Sequence, residues 1–315
     1  MDFDKIFRKD ACPTKIGGQA VIEGVMMKGS SCMATSVRKP NGEITLKVDK
    51  LKPLGKIAKF PIIRGIYAFG NALVTGTKTL MYSAEVLEEA GVDMEKSKFD
   101  LWIEKKLGDH ATTFLLYFSV VIALIFTIGI FVILPTIAIN FFKHFTENAI
   151  LLNLCEGVLR IFMFVVYVAV ISKLEDIRRV FQYHGAEHKS IHCYESGLDL
   201  TVENCTPFPV LHPRCGTSFM MFVLVISLLL FSLLGWPNLL VRITSRLLFI
   251  PLIAGLSYEL LRWAGKSSSS LIKVISLPGL WLQILTTKEP DASQIETALS
   301  SLKAVLDYSE GNEDL

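Results

Sequence analysis

The chain alternates long apolar stretches with polar segments. From Ala111 to Phe142 there is no Asp, Glu, Lys, Arg or His, and the same holds from Thr217 to Val241. About 20 apolar residues suffice for a helix to cross the ~30 Å hydrocarbon layer. Both runs therefore predict membrane-spanning helices, with Pro135 expected to kink the far end of the first. A second span is expected over Ala149–Ser172 and a fourth over Leu247–Gly265. Leu271–Leu285 is apolar but too short to cross. Pro278-Gly279 is expected to interrupt it, so it reads as an interfacial or re-entrant segment anchored by Trp281.

The polar parts predict different elements. Gly17 to Gly29 is Gly-rich and reads as a turn-like loop, with Glu23 flanked by glycine. Met33–Lys39 and Glu43–Lys50 alternate in part across Pro40-Asn41-Gly42, which predicts a β-hairpin because Asn and Gly tolerate positive φ. From Pro61 to Glu89, apolar residues recur at three- and four-residue steps, the signature of an amphipathic helix. That helix suits either the bilayer surface or the protein core. Residues 286–315 read as an acidic tail with one short helix at most.

The expected fold is a mainly α membrane protein of about four transmembrane helices with a small N-terminal α+β part. Its regions are 1–110 (hairpin and amphipathic helix), 111–285 (bundle, with an inter-span loop at 173–216) and 286–315 (tail). Lys and Arg are richer before the first span, between spans two and three, and after span four. Cytoplasmic loops carry such an excess, which predicts a multi-pass protein of the bacterial cell membrane with both termini and the 173–216 loop in the cytoplasm.

Composition agrees. The hydrophobic fraction is 51% and the mean hydropathy is +0.45, high for a soluble protein. A net charge of +2 without basic runs argues against nucleic acid as a partner. No apolar core marks the first thirty residues, so no cleavable export signal is expected. Most cysteines fall in segments assigned to the cytoplasm, where thiols stay reduced.

The candidate chemistry is concentrated between His184 and Cys215, which hold four of the six histidines and three of the six cysteines. His184-Gly185-Ala186-Glu187-His188 fits H-x-x-E-H. On a helix, residues at i and i+4 lie above one another, so His184 and His188 can share an ion, with Glu187 beside them as a general base for hydrolysis. His212-Pro213-Arg214-Cys215 supplies two further donors. Imidazole and thiolate suit zinc, giving the expected ligand set His184, His188, His212 and Cys215. His192, Cys193, Glu259 and Glu23 are further candidates, and Cys205 is a thiol less well placed. Four protein ligands would make the site structural; an open position would make it catalytic. Paired histidines on a polar helix also occur without any metal.

Within the apolar runs, Glu156 and Arg160 stand at i and i+4, where they can pair. Charges at such depth cost about 2.5–3.5 kcal/mol each on insertion scales and usually face a bundle interior.

The motifs Gly17-Gly18-Gln19-Ala20-Val21-Ile22-Glu23-Gly24-Val25-Met26-Met27, Tyr183-His184-Gly185-Ala186-Glu187-His188-Lys189 and His212-Pro213-Arg214-Cys215-Gly216-Thr217-Ser218-Phe219 resemble the YqhQ-like family of bacterial multi-pass membrane proteins, a group with a domain of unknown function described as metal-dependent. The resemblance covers about residues 12–290 and implies a membrane location and a divalent metal, but no substrate. Two readings follow: a metal-dependent hydrolase acting at the membrane surface on a protein segment or lipid headgroup, or a non-enzymatic partner or regulator of the membrane-protein insertion machinery. A small-solute transporter is a third, weakened by the lack of a visible internal repeat.

Overall fold

Four short strands, Gly17–Val21 (β1), Gly24–Lys28 (β2), Cys32–Arg38 (β3) and Ile44–Lys50 (β4), pair antiparallel in the order β1-β2-β3-β4. They belong to a computed structural model that describes residues 6–7, 12, 14–52, 55, 59–92, 98–108, 111–264 and 270–310. The expected hairpin is β3–β4, closed where Arg38 pairs with Ile44. Gly42 takes a φ of 88° there, and the Asn41 side chain accepts the Glu43 amide at 3.0 Å. The stretch expected to be a Gly-rich loop is instead the β1–β2 hairpin. Residues Gly24–Met27 are all buried, so β2 carries none of the apolar–polar alternation that a half-exposed strand shows. A Cβ at Gly24 would press into the Ser36 carbonyl, so β2 and β3 approach this closely only with glycine there.

The helices are Ile63–Glu89 (α1), Lys98–Leu107 (α2), Ala111–Ile128 (α3), Leu134–Phe142 (α4), Ala149–Ile171 (α5), Glu175–Glu195 (α6), Val202–Cys205 (α7), Gly216–Ser232 (α8), Leu239–Ala264 (α9), Ser270–Thr286 (α10) and Ala292–Glu310 (α11). The chain is mainly helical, as expected. Among the described residues three helices are long and apolar enough to cross a membrane: Phe118–Phe142, Ala149–Ile171 and Leu239–Ala264. The expected third span is corrected, and the fourth begins earlier, within Leu239–Ala264. The chain leaves the helix after Ser232 and resumes at Leu239, because Gly235-Trp236-Pro237 supplies a residue with no Cβ and one with no amide proton. Residues 265–269, which include the end expected for span four, lie outside the described residues. Pro278-Gly279 does not interrupt α10; Gly279 instead lets the helix lie against Ser218.

Contacts group the chain into two units. The first comprises residues 1–90, 165–226 and 251–315. In it the sheet packs against α6 and α11, and Val25, Met27, Cys32, Ala34, Tyr183, Ala186, Ile191, Ile295, Ala298, Leu302 and Val305 form the core. The segment expected to be a tail is thus a 19-residue helix with one face buried. Helix α1 spans the predicted range. Up to Ser83 its buried residues are the small and polar Gly65, Gly76, Thr79 and Ser83, while Ile63, Tyr67, Leu73, Val74 and Leu80 are exposed, the inverse of a water-facing helix; its last turns bury Val86 and Leu87 against Val21 and Val37.

The second unit comprises 91–164 and 227–250. A π-helical turn, Gly129–Ile133, joins α3 to α4. Pro135 has no N–H to give the carbonyl four residues back, and the freed Phe131 oxygen accepts from Arg160 Nε at 2.8 Å. The expected Glu156–Arg160 pair forms, at 2.9 Å.

Candidate metal centre

Helix α6 begins without a side-chain cap but carries Glu175 and Asp176 in its first turn, where acidic groups complement the helix dipole. One stripe of it follows the β1–β2 hairpin. Arg179 grips Glu23 at the hairpin turn through two bonds of 2.5 Å, and the Tyr183 hydroxyl donates to the same carboxylate at 3.2 Å. One turn further, Glu187 accepts from the Gly18 amide. A Cβ on Gly18 would lie 2.8 Å from the Glu187 carboxyl carbon, so glycine at that point in β1 makes room for the acid. Gly185, between the histidines, does the same for the Lys288 carbonyl.

The predicted i, i+4 geometry places the His184 and His188 rings 4.5 Å apart. Each Nδ1 lies on a backbone carbonyl: His184 on Thr286 at 2.8 Å and His188 on Val210 at 2.5 Å. A carbonyl can only accept, so both Nδ1 atoms carry the proton and both Nε2 atoms present a lone pair. His184 Nε2 stands 3.1 Å from Cys215 Sγ. His188 Nε2 is buried with no hydrogen-bond partner among the described residues. Ligand atoms of His184, His188 and Cys215 lie within 4.8 Å of one another. Donors around a tetrahedral zinc ion sit about 3.5 Å apart. The residues therefore fit a divalent metal: two tautomer-locked imidazoles, one soft sulfur and an orphaned buried nitrogen. Burial pushes the Cys215 thiol up, but His188 and the Thr217 hydroxyl and amide outweigh it and the net shift is downward, toward the thiolate that a metal requires. Burial raises Glu187 to about 7.

The other predicted residues fall elsewhere. His212 extends the row of rings, 5.6 Å from His188. However, its Nδ1 accepts the Arg214 amide at 3.3 Å and its Nε2 faces Glu195 at 3.6 Å. Burial lowers it to about 3. His192 packs 4.5 Å from the His212 ring and contacts the Leu211 carbonyl at 3.0 Å; burial lowers it to about 4. Glu23 is engaged by Arg179 and Tyr183. Glu259 pairs with Arg64 and accepts from the Ile62 amide at 3.4 Å. Cys193 lies against the Asp199 carbonyl at 3.6 Å and, with Cys205, belongs to the apolar core.

Two residues that position the site were not predicted. Glu195 is buried, pairs with Arg214 and accepts from Thr14 N–H at 2.9 Å. Burial opposes its charge, but these partners together with His212 hold it down at about 2. Its spacing of three from His192 and seven from His188 was a readable signal. Gln283 on α10 accepts from the His212 amide and donates to the His212 carbonyl, both at 2.9 Å, which clamps the turn that delivers Cys215. A partner 71 residues away leaves no local trace.

What emerges is a helical protein with apolar helices long enough to span a membrane, a small antiparallel sheet and a His/His/Cys cluster in which His188 and Cys215 are buried and His184 half-buried. The chain belongs to the family described as "Protein of unknown function (DUF1385)", which matches residues 60–308. It is 35% identical over 306 residues to the uncharacterized protein YqhQ of Bacillus subtilis (strain 168), covering 95% of this chain and 94% of that protein. The YqhQ-like resemblance is therefore correct. No solved structure matches the chain.

Proposed function

We propose that this is a multi-pass membrane protein in which His184, His188 and Cys215 hold a divalent metal, zinc by the softness of the donors, on the cytoplasmic side. The observation that carries this is the pair of Nδ1–carbonyl contacts. They turn both Nε2 lone pairs toward one thiolate, and the His188 nitrogen has no other partner. Three protein ligands are the number that leaves a position open for chemistry. A zinc ion bound there supplies a Lewis acid. Glu187, beside the cluster and raised to about 7, is suited to take and return a proton near neutral pH, and hydrolysis is the reaction this combination serves. Glu195, Arg214 and Gln283 hold the His212–Cys215 turn in place.

A second reading rests on burial. Glu187, His188 and Cys215 are all nearly inaccessible, which favours a metal that staples α6 to the turn before α8, in a protein that acts by docking a partner such as the insertion machinery. Metal analysis of the purified protein tests the site: His184→Ala and Cys215→Ala should each remove the metal. Glu187→Gln separates the readings. Hydrolysis predicts that this variant keeps its metal yet fails to replace the wild-type protein in cells. Full replacement by Glu187→Gln contradicts hydrolysis and leaves the staple.

A further inference from the structure

The second unit holds a buried charge cluster unconnected with the metal reading. Glu156, Arg160, Arg242 and Arg246 are all at least nine-tenths buried. The two later arginines were expected in a loop; they lie instead in α9. One Glu156 oxygen accepts from Arg160 at 2.9 Å and from Arg246, and meets the Thr136 hydroxyl at 2.8 Å. The other accepts from Arg246 at 2.5 Å. That carboxylate is shared among three donors, and Arg242 receives none of it. Arg242 Nη2 donates to the Thr136 carbonyl at 3.1 Å, and the guanidinium lies 3.8 Å over the Trp236 ring. Its Nε and Nη1 are buried and have no hydrogen-bond partner among the described residues. Among those residues, three guanidinium groups against one carboxylate leave two positive charges unbalanced in an apolar setting, where a buried charge is tolerated only with a counter-ion. Arg242, Arg246, Ser245 and Asn153 together line a cavity of about 20 Å³ beside Phe231 and Pro237. That volume admits one atom-sized group.

We propose that this cavity is an anion site in which Arg242, beside Arg246, takes a single anionic acceptor atom: a phosphoryl oxygen, from a lipid headgroup or free phosphate, or a halide. An acceptor there would satisfy the two orphaned Arg242 donors and offset the surplus charge in one step.

The test uses the full-length protein in dodecyl maltoside micelles, which carry no phosphate, with the thermal unfolding midpoint as readout. Chloride and inorganic phosphate are each titrated against gluconate at equal ionic strength, and a third arm adds phosphatidylglycerol to the micelles. At least one arm should raise the midpoint saturably, and the responding arm identifies the source. Arg242→Gln should abolish the response, and Arg242→Lys, which keeps the charge but not the fixed fork of donors, should weaken apparent binding about tenfold. If Arg242→Gln does not accumulate, Arg242→Lys and the wild-type titrations decide. A flat wild-type response in all three arms overturns the proposal, as does an unchanged response in both variants.

Discussion

The two units each bury a polar cluster, and the clusters are opposite in sense. In the first, two imidazole nitrogens and a sulfur converge with lone pairs to spare. In the second, guanidinium donors outnumber the acceptors around Glu156. Buried polar groups in folded proteins are nearly always paired. A surplus of acceptors therefore points to a cation and a surplus of donors to an anion. The backbone builds both. Carbonyls of Thr286 and Val210 orient the histidines, and the Phe131 carbonyl freed by Pro135 anchors Arg160.

Removing one partner from each cluster breaks the comparison most forcefully. Glu156→Ala strips from three buried arginines the only carboxylate that meets them among the described residues and should cost about 3–5 kcal/mol, read as failure to accumulate or a steep fall in unfolding midpoint. A wild-type midpoint would show that the arginines are already neutralised in another way.

Glu187 gives a pH signature next in size. Its folded pKa, about 7, lies above its unfolded value, so the folded state binds the proton more tightly. Its contribution is most favourable below the unfolded pKa, near 4.5, and is lost as pH rises through 7. His192 and His212, lowered to about 4 and about 3, act oppositely, losing stability as pH falls below 6.5. The Glu187→Gln comparison isolates the acid. Metal-free wild type should lose roughly 3 kcal/mol relative to Glu187→Gln between pH 4.5 and 7. Parallel pH profiles would show an ordinary carboxylate.

Gly185→Ala tests the packing that brings α10 to the histidines. The added methyl meets the Lys288 carbonyl and should cost about 1–3 kcal/mol, with metal affinity weakened. The smallest effect is expected at His212, whose ring nitrogens are engaged by Arg214 and Glu195. His212→Ala should retain the metal at full stoichiometry, whereas loss of metal would return His212 to the ligand set.

How much of this was legible depended on the range of the signal. H-x-x-E-H placed His184 and His188 together because i, i+4 proximity is a property of any helix, and Cys215 joined them as expected. The pair Glu156–Arg160 was legible for the same reason. Glu259 and Glu23 were plausible ligands by chemistry alone. Their engagement by Arg64 and Arg179 follows from pairings about 195 and 156 residues apart in sequence, which no local pattern encodes. The β1–β2 hairpin was masked because burial on both faces erases alternation. Two features could have been read. Ile295, Ala298, Leu299, Leu302 and Val305 recur at helical steps in the segment taken for a tail, and Gly235-Trp236-Pro237 breaks the apolar run taken for one span.

The central claim is that one ion meets two imidazoles and one thiolate. X-ray absorption at the zinc edge of the purified protein reports this directly. The account predicts a single sulfur at about 2.3 Å and two nitrogens at about 2.0–2.1 Å, with the sulfur shell lost in Cys215→Ser. A sulfur-free shell, or protein that takes up no zinc at all, would contradict it.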